Sequence, residues 1–555
     1  MPPSAERAIS VPNDLNLTEL LHTSARNDLP ESHLISRDCL TGRTLSIGQL
    51  RDRAGRFASG FKQRFNPPDQ SRWAIIVPNC VEYIELFHAV LWVGGVACPI
   101  NHALKAAEIA HALTVSKPHV ILVYGQVLPT VLDAIRLAQE KGGADFDVPE
   151  LVTVLGKSAT HPDVEGLLGE GRLDVPHYKD TKTRLASIHL SSGTTGNPKG
   201  VALTHFNYVA NVLQLHKHDP DHWTAGDRIV SYTPFVHIAN TTIPLFLGPW
   251  CGVLHCIMPS YDLETFGKMV QDNKATAAQA VGTVALALAN SDVTKRYDFS
   301  SVRYLVCGGL PVEDATYQRL LSKGNWKTIM LYGMTEAAPF VVYQKQRQTV
   351  PLGQLGNLLP GIEAVLRADN GSKDAPAGGP GEMWLRGPNL TSGYIFNEEA
   401  TRNAFKGDGW YNTGDVCTFS KEGYLSVVGR TKELVKYKGF QVSPTELETY
   451  MTSHPDIAEA AVGSVWDQEQ LTELPTAYVV LKEHVRTREE KVKALQKIRQ
   501  LVDSKVSGYK KLRGGVHEVT VLPRNAQTKI LRKQLADNKT GIRDPETPSV
   551  SRSKI

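Results

Sequence analysis

Cysteine is scarce in this sequence, and its distribution excludes two common kinds of small fold. The seven cysteines among 555 residues are odd in number and scattered, and none stands in a Cys-x-x-Cys pair. A disulfide framework or a zinc ribbon needs paired, closely spaced cysteines, so we expect neither. The pattern favours a reducing compartment.

Long apolar runs and an excess of charge of one sign are also missing. The most apolar stretch, residues 83–100, is interrupted by Glu85, His88 and Gly94-Gly95, and it falls short of the roughly 20 apolar residues of a membrane span. Lys and Arg number 61 against 57 Asp and Glu, a net charge of +4 that predicts neither nucleic acid nor membrane as partner. Residues 1–7 lack the apolar core of a signal peptide, so we expect a soluble protein inside the cell.

The length and composition predict an ordinary globular protein with several units. At roughly 100 to 200 residues per domain, the chain is long enough for three or four domains or subdomains. Apolar residues make up 41% and charged residues 21% of the sequence, which is typical of globular chains rather than disordered or fibrous ones. A single small binding module is therefore excluded.

The first half of the chain alternates between strand-like and helix-like segments. Residues 73–77 form an apolar strand-like run, a helical pattern with Ile84, Phe87 and Leu91 follows, and residues 96–100 form a second run. Residues 185–190 and 302–306 begin similar units, in which the strand is predicted to lead through a loop into a helix. This alternation predicts layered α/β architecture with binding loops at the carboxyl ends of the strands.

In the second half of the chain the predicted secondary structure changes twice. Short strand-like pieces separated by Gly and Pro predict a small β-rich subdomain over residues 350–428, and a compact α+β segment follows Gly429-Arg430. Beyond Leu535 the sequence is polar and lacks periodicity, so we expect disorder there. The predicted domains are residues 1–430, residues 431–535 and a flexible tail over residues 536–555.

One loop combines the groups that bind anions. Residues 190–200 read Leu-Ser-Ser-Gly-Thr-Thr-Gly-Asn-Pro-Lys-Gly, so hydroxyls, exposed backbone N–H groups and the cation of Lys199 lie close together. The loop is not a Walker A motif, because Lys199 is preceded by Pro198 and followed by Gly200. The composition indicates a phosphate-binding loop.

This loop resembles the signature loop of the adenylate-forming superfamily, which contains acyl-CoA synthetases, 4-coumarate-CoA ligases, peptide-synthetase adenylation domains and firefly luciferases. Further motifs of that family follow in order: Leu-Tyr-Gly-Met-Thr-Glu at 331–336, Trp-Tyr-Asn-Thr-Gly-Asp at 410–415, an interdomain motif at 429–444 and a lysine loop at 523–533. The resemblance implies a large N-terminal domain of two layered α/β subdomains plus a small β-barrel-like subdomain. A small, mobile α+β C-terminal domain is implied to follow.

The resemblance also implies an ATP-dependent acid:CoA ligase that uses ATP, Mg²⁺ and coenzyme A as cofactors. In such enzymes a carboxylate attacks the α-phosphate of ATP, pyrophosphate leaves, and the acyl group then passes to coenzyme A. The implied magnesium ligands are Thr195 and Glu336. The residues implied to bind the cofactors are Ser191, Ser192, Gly193, Thr194, Thr195, Lys199, Gly309, Leu310, Tyr332, Gly333, Thr335, Asp415, Arg430, Lys438 and Gly439.

The implied catalytic residues lie in both domains. Lys529 corresponds to the lysine that stabilises the charge developing between the carboxylate and the α-phosphate, and Lys432 occupies the hinge position. The other implied catalytic residues are His237, which gates the carboxylate, Lys436 and Gln441, which contact the adenylate, and Glu336. The sequence departs from the family pattern in three places: Thr528 replaces the usual Gly, Arg524 the usual Lys, and Met330-Leu331 the Gln-Gly of coumarate-type enzymes.

The implied acyl pocket predicts the class of acid. Its lining residues by resemblance are Ala239, Asn240, Val281, Gly308, Met334 and Pro339, and their apolar character suits an aryl or aliphatic acid. The small residues Gly308 and Gly309 are expected to leave room for the substrate. No Asp follows His237 at the position where amino-acid-activating relatives bind an ammonium group, so a free amino acid is disfavoured.

The last three residues, Ser553-Lys554-Ile555, resemble the peroxisomal Ser-Lys-Leu address, which predicts a peroxisomal location and an import receptor as partner.

Three alternative functions stay open at this point. They are an acyl-AMP ligase that loads a carrier protein, a luciferase-like oxygenase, and a binding protein on an inactive ligase fold. The joint presence of Lys199, Glu336, Asp415, Arg430 and Lys529 argues against the last.

Overall fold

A computed structural model describes residues 9–23, 29–142, 146–191, 198–308, 314–368, 371, 373–431, 433–438, 440–451, 454–524 and 530–546. Up to Arg430 the described strands are β1 Leu34–Asp38, β2 Thr44–Ser46, β3 Arg72–Ile76, β4 Val96–Pro99, β5 Val120–Tyr124, β6 Glu150–Val154, β7 Leu185–Ser191, β8 Lys199–Thr204, β9 Arg228–Ser231, β10 Leu254–Ile257, β11 Ala277–Gln279, β12 Tyr304–Cys307, β13 Lys327–Gly333, β14 Phe340–Tyr343, β15 Glu363–Ala368, β16 Lys373–Asp374, β17 Gly381–Arg386, β18 Phe405–Lys406, β19 Trp410–Phe419 and β20 Leu425–Arg430.

The helices of the same region lie mainly between the strands of the first two sheets. They are α1 Leu17–His22, α2 Ile47–Phe65, α3 Val81–Trp92, α4 Ala106–Ser116, α5 Leu128–Gly142, α6 His205–His218, α7 Ile238–Thr242, α8 Gly248–Cys251, α9 Leu263–Asn273, α10 Gly282–Asn290, α11 Val293–Arg296, α12 Asp314–Leu321 and α13 Glu398–Ala404. A π-helical turn, Ile243–Leu247, joins α7 to α8. Capping boxes at Ser46 and Thr204 satisfy the free backbone N–H groups where α2 and α6 begin.

Two mostly parallel sheets form the bulk of this region. The first has the order β6-β5-β3-β4-β7-β8, and its only antiparallel pair among the described strands is β7 with β8. The second has the order β14-β13-β12-β11-β9-β10-β1-β2, with antiparallel strands at its two edges. Because neighbouring strands are parallel, their carboxyl ends lie at one edge of each sheet, where binding loops collect.

Helix α3 packs against β3 and β4 of the first sheet and β1 of the second, and every one of its residues is buried. One of these buried residues is Glu85. Its carboxylate accepts hydrogen bonds from Arg43 and Arg53 at 2.8 Å each. A buried charge is tolerated only when it is paired in this way. Helix α3 therefore ties the two sheets into one core.

A third sheet and the C-terminal segment complete the architecture. The third sheet is antiparallel, with the order β16-β15-β17-β19-β18 and β20 beside β19. Beyond it lie the hairpin of β21 Val435–Tyr437 with β22 Phe440–Val442, a sheet of β23 Ile457–Asp467, β24 Thr472–Leu481, β25 Val516–Val519 and β26 Lys539–Arg543, and helices α14 Pro444–Met451 and α15 Arg488–Lys505. The predicted fold class, layered α/β followed by a smaller α+β unit, is confirmed.

Two expectations about local structure were wrong. The strand before the phosphate loop does not lead directly into a helix, because β8 pairs with β7 and the loop joins two antiparallel strands before α6 begins. The polar tail is not disordered from its first residue, because β26 pairs with β25 and adds a fourth strand to the C-terminal sheet. The address Ser553-Lys554-Ile555 lies outside the described residues and stays a prediction.

In the described part of the chain, no helix has both the length and the hydropathy that crossing a membrane requires. This agrees with the absence of a long apolar run in the sequence.

Several buried histidines predict acid sensitivity. Burial lowers the pKa of His88 to about 4 and those of His189, His205, His222 and His255 to about 3. Between about pH 3 and the unfolded value near 6.5 the unfolded chain therefore binds more protons, so stability is complete above about 6.5 and falls as the pH drops below it. Each histidine should lower the free energy of unfolding by ~1.4 kcal/mol per pH unit in that window.

Urea unfolding at about pH 7 and about pH 5 measures this effect. His88→Gln is the control variant, because a glutamine can still donate to Leu245 O, the acceptor of His88 Nε2, but does not titrate. The stability difference between the two pH values should shrink by about 2 kcal/mol in this variant. An unchanged difference would contradict the assignment.

Candidate active site

The mouth of the phosphate loop is held by a cross-strand pair. Ser191 ends β7 and lies opposite Lys199, which begins β8, so the two residues face each other where the chain leaves and rejoins the sheet. Lys199 Nζ also lies 5.1 Å from the centroid of the Tyr394 ring. The predicted phosphate-binding residues Ser192, Gly193, Thr194 and Thr195 lie outside the described residues, and the predictions for them stay untested.

Glu336 is a buried carboxylate beside this mouth. It lies in the short 3₁₀ helix Thr335–Ala337 that follows β13, and the backbone N–H of Thr391 donates to its carbonyl oxygen at 2.8 Å. The hydroxyl of Tyr394 donates to Glu336 Oε1 at 3.0 Å. Burial raises the pKa of Glu336, and the hydrogen bonds from Tyr394 and Ser191 oppose that shift.

The chain must turn sharply to bring Glu336 to this place, and Gly333 makes the turn possible. A Cβ atom on Gly333 would lie 2.2 Å from the carbonyl oxygen of Pro339. That carbonyl accepts a hydrogen bond from the N–H of Met334 at 3.0 Å, which closes the turn. Only glycine allows this close approach, so Gly333 is needed for the turn, and its predicted cofactor-binding role stays a prediction.

Asp415 joins two of the predicted motifs directly. It lies opposite Arg430 in the β19–β20 pair, and Arg430 Nε lies 2.8 Å from Asp415 Oδ1. The hydroxyl of Tyr332, from the end of β13, donates to Asp415 Oδ2 at 2.5 Å. Burial and the charge of Asp415 raise the pKa of Tyr332, so the phenol stays protonated and remains the donor. The structure brings Tyr332, Asp415 and Arg430 together as predicted.

The charged side chains on the predicted nucleotide side of the site therefore interact with one another. The charges of both Asp415 and Glu336 act on Arg430, which links the two carboxylates although Asp415 lies in β19 and Glu336 in the 3₁₀ helix after β13. Oxygen donors such as Glu336 and the Ser191 hydroxyl suit Mg²⁺ that is held mainly by phosphates, since this ion uses few protein carboxylates. Among the described residues no cluster of three or more His, Cys, Asp and Glu side chains could hold a metal without such help.

His237 lies on the acyl side, directly before α7. Its carbonyl accepts hydrogen bonds from the N–H groups of Asn240 and Thr241 at 2.8 and 3.0 Å, so the residue is part of the first helical turn. The residue is exposed at the surface, while desolvation by the surrounding protein lowers the pKa of its imidazole. A neutral imidazole on a residue at the surface suits a group that moves beside a substrate.

The predicted acyl pocket is only partly apolar. Ala239, Val281 and Met334 are half-buried, whereas Pro339 is buried. Asn240 is buried too, and its Oδ1 accepts from Gln279 Nε2 at 2.5 Å. The hydroxyl of Thr233 donates to the other end of the Gln279 amide. These polar side chains satisfy each other, so the pocket keeps an apolar character at its surface.

The expectation that Gly308 leaves room was wrong. A Cβ atom on Gly308 would lie 2.2 Å from Leu331 Cδ1, because the leucine side chain lies directly over the glycine on the neighbouring strand. Leu331 is one of the residues at which the sequence departs from coumarate-type enzymes, so the glycine accommodates this leucine rather than a substrate. Gly309 and Leu310 lie outside the described residues.

The C-terminal residues of the prediction lie on a separate hairpin. Lys436 and Lys438 have exposed side chains, and their backbone N–H groups donate to Glu473 Oε2 at 2.7 Å and Thr472 Oγ1 at 2.8 Å, both on β24. The hairpin is therefore fixed within the C-terminal unit. The predicted roles of Lys432, Gly439 and Lys529 and of the Gln441 side chain concern groups that the structure does not describe.

Tyr394 is a site residue that sequence reasoning missed. It contacts Lys199 and Glu336 because Val201 and Tyr394 form a β-bridge and Ile395 N–H donates to Gly200 O at 2.8 Å. No local signal marks a single tyrosine as a partner of a carboxylate 58 positions away. Only the pairing of its segment with β8 could have revealed it.

Two family models match the chain. The model described as AMP-binding enzyme matches residues 24–395, and that of the AMP-binding enzyme C-terminal domain matches residues 446–529. The chain therefore belongs to the AMP-binding enzyme family, whose members are adenylate-forming enzymes. The superfamily predicted from the motifs is confirmed, as is the prediction of an enzyme.

The curated relatives are CoA ligases. "Probable 4-coumarate--CoA ligase 1" of Dictyostelium discoideum is 31% identical over 522 residues, which is 90% of this chain and 91% of that protein. "4-coumarate--CoA ligase 1" of Petroselinum crispum is 30% identical, and 93% of each chain is covered. Both similarities extend through the N-terminal and C-terminal units.

A solved structure has the same fold over nearly the whole chain. ATP-bound MatB from Rhodopseudomonas palustris has a TM-score of 0.82 and 25% identity, with 94% of this chain and 98% of that chain covered. The anthranilate CoA ligase AuaEII in complex with anthranoyl-AMP also has a TM-score of 0.82, at 22% identity, and shares the fold.

Asp415→Asn should weaken nucleotide binding. The amide loses the charge that pairs with Arg430 and places an N–H group where the carboxylate accepts from Tyr332. Hydrogen bonds to charged groups contribute ~1.5–3 kcal/mol, so we expect the dissociation constant of AMP, measured by calorimetry, to rise roughly 10- to 100-fold. Tyr332→Phe keeps the carboxylate and should cause the smaller increase. Wild-type affinity in Asp415→Asn would exclude Asp415 from the nucleotide site.

Proposed function

We propose that this protein is an AMP-forming acid:CoA ligase that activates an aryl or aliphatic carboxylate through an acyl-adenylate. The observation that carries the proposal is the convergence of Tyr332, Asp415, Arg430 and Glu336 beside the Ser191–Lys199 mouth of the phosphate loop. Acceptors for a ribose and charges for a triphosphate thus lie on adjoining elements. Membership in the AMP-binding enzyme family supports the same reaction.

In the first half-reaction, a carboxylate oxygen of the acid bonds to the α-phosphorus of ATP. The bond between that phosphorus and the bridging oxygen breaks, and pyrophosphate leaves with its electron pair. Lys199 and the Ser191 hydroxyl hold the phosphates, Asp415 accepts from the ribose hydroxyls, and Glu336 with Thr195 would hold the cation. Bound Mg²⁺ would supply positive charge against the triphosphate. Lys529 is proposed to stabilise charge on the reacting oxygens.

In the second half-reaction, the coenzyme A thiol releases its proton to solvent, its sulfur bonds to the acyl carbonyl carbon, and AMP leaves with the electrons of the broken C–O bond. The exposed hairpin with Lys436 and Lys438 is proposed to close the site for this step through rotation about Lys432. His237, which is exposed at the surface, is proposed to move aside as the carboxylate enters.

The substrate class follows from the acyl side of the site. The half-buried surfaces of Ala239, Val281, Met334 and Leu331 are apolar and suit an aryl ring or an alkyl chain. The Leu331 side chain over Gly308 narrows the space beside β12. The names of the curated relatives make 4-coumarate the first acid to test.

A pyrophosphate-release screen tests the proposal. The purified protein is assayed with ATP and Mg²⁺ against cinnamic, benzoic and short- to long-chain aliphatic acids, with and without coenzyme A. Release that depends on one acid and yields its CoA thioester is the expected result. Release without a thioester would replace coenzyme A by a carrier protein, and no release with any acid would overturn the ligase.

Tyr394→Phe should raise the Mg²⁺ requirement of that reaction. Without the Tyr394 hydroxyl, burial raises the pKa of Glu336 further, so the ionised carboxylate is available only at higher pH. Loss of one hydrogen bond to a charged group predicts about a tenfold higher Mg²⁺ concentration at half-maximal pyrophosphate release, and an optimum moved to higher pH.

Tyr411→Phe is the matched control for this variant. The Tyr411 hydroxyl lies 3.5 Å from that of Tyr394, so its removal leaves the hydrogen bond from Tyr394 to Glu336 in place. Its Mg²⁺ requirement should stay near that of the wild type. Equal Mg²⁺ requirements in Tyr394→Phe and the wild type would show that Glu336 does not hold the cation.

A further inference from the structure

A chain of buried hydrogen bonds runs from β7 to the segment that carries His237. The Ser187 hydroxyl lies 2.7 Å from Tyr208 OH, and Tyr208 OH lies 2.9 Å from His189 Nε2. His189 Nδ1 lies 3.2 Å from the backbone carbonyl oxygen of Val236. The Ser187, His189 and Tyr208 side chains are at most 1% exposed, so these bonds form away from bulk solvent.

The carbonyl at one end of this series determines which group donates in each hydrogen bond. The carbonyl of Val236 can only accept, so His189 Nδ1 carries the proton and His189 Nε2 is the acceptor for Tyr208 OH. Tyr208 donates to His189 and therefore accepts from the Ser187 hydroxyl. Burial lowers the pKa of His189 to about 3 and raises that of Tyr208, so both groups stay neutral and the direction is fixed.

The two ends of the chain lie at functional positions. His189 is two residues before Ser191, at the entrance to the phosphate loop, and Val236 directly precedes His237. The same segment is held on its other side, where Phe235 N–H donates to Asn79 Oδ1 at 2.7 Å and the Thr241 hydroxyl donates to Phe235 O at 2.7 Å. A positive charge on His237 would lower the pKa of His189, so the two imidazoles lie within electrostatic reach of each other.

We propose that His189 is a positioning residue, which holds the Val236 carbonyl and so fixes the backbone that carries His237 relative to the phosphate loop, with Tyr208 selecting the tautomer of His189. The inference rests on the proposed function, in which His237 acts beside the reacting carboxylate. It adds a requirement that none of the sequence motifs contains, since Ser187, His189 and Tyr208 lie outside the residues predicted for the site.

The variants separate positioning from simple packing. His189→Leu removes the donor to Val236, whereas His189→Asn keeps an N–H donor near the Nδ1 position. Loss of one hydrogen bond predicts about a tenfold lower kcat for pyrophosphate release in His189→Leu, with KM for ATP nearly unchanged, and recovery of most of that loss in His189→Asn. Ser187→Ala leaves the contact with Val236 in place and serves as the control in the same chain.

A double-mutant cycle tests whether His189 acts through His237. If it does, adding His189→Leu to His237→Ala should lower kcat little further, whereas independent effects would multiply. Urea unfolding of each variant shows whether the protein remains folded under assay conditions. Multiplying effects, or equal losses in His189→Leu and His189→Asn, would overturn the proposal.

A second readout does not depend on activity. NMR of histidine-labelled protein gives the pKa of His237, which the surrounding protein lowers in the wild type. This pKa should move back toward 6.5 in His189→Leu and remain lowered in His189→Asn. An unchanged pKa of His237 in His189→Leu would overturn the positioning role even if no acid supported pyrophosphate release. Absence of release with a shifted pKa would instead count against the proposed function alone.

Discussion

The carboxylate of Asp415 is the interaction on which the nucleotide side of the site depends. The Asp415 residue is 3% exposed. It pairs with Tyr332, near the carboxyl end of β13 in the second sheet, and with Arg430, at the end of β20. A buried carboxylate without partners would be costly, so the two sheets must meet where both partners can reach it. The position of the site thus follows from the need to satisfy one buried charge.

Other buried polar groups of the interior also have partners, some through ion pairs and some through neutral hydrogen bonds. Glu85 stays buried because Arg43 and Arg53 pair with it, and these pairs join α3 to α2 and to the segment before β2. His189 and Tyr208 are neutral instead, and their hydrogen bonds connect β7 to the loop before α7. Buried charged groups are therefore paired with opposite charges of the protein, and buried neutral polar groups connect neighbouring elements through hydrogen bonds.

Most of the architecture could be predicted because its signals are local. The apolar periodicity around Ile84 and Phe87 was enough to predict the β3-α3-β4 unit. Strand β8 was missed because a six-residue strand beside a glycine-rich loop has no period distinct from the helix that follows. Strand β26 was missed because its exposed, polar residues form a strand only by pairing with β25.

The sequence by itself determined the family, the order of the motifs and the residue types that we propose bind nucleotide, because these depend on short segments with fixed chemistry. It did not determine which residues contact Glu336, that Leu331 lies over Gly308, or that His189 reaches Val236. Each of these contacts joins residues from different elements. The distance between such residues is set by how the sheets pack against one another, so only the tertiary structure decided these contacts.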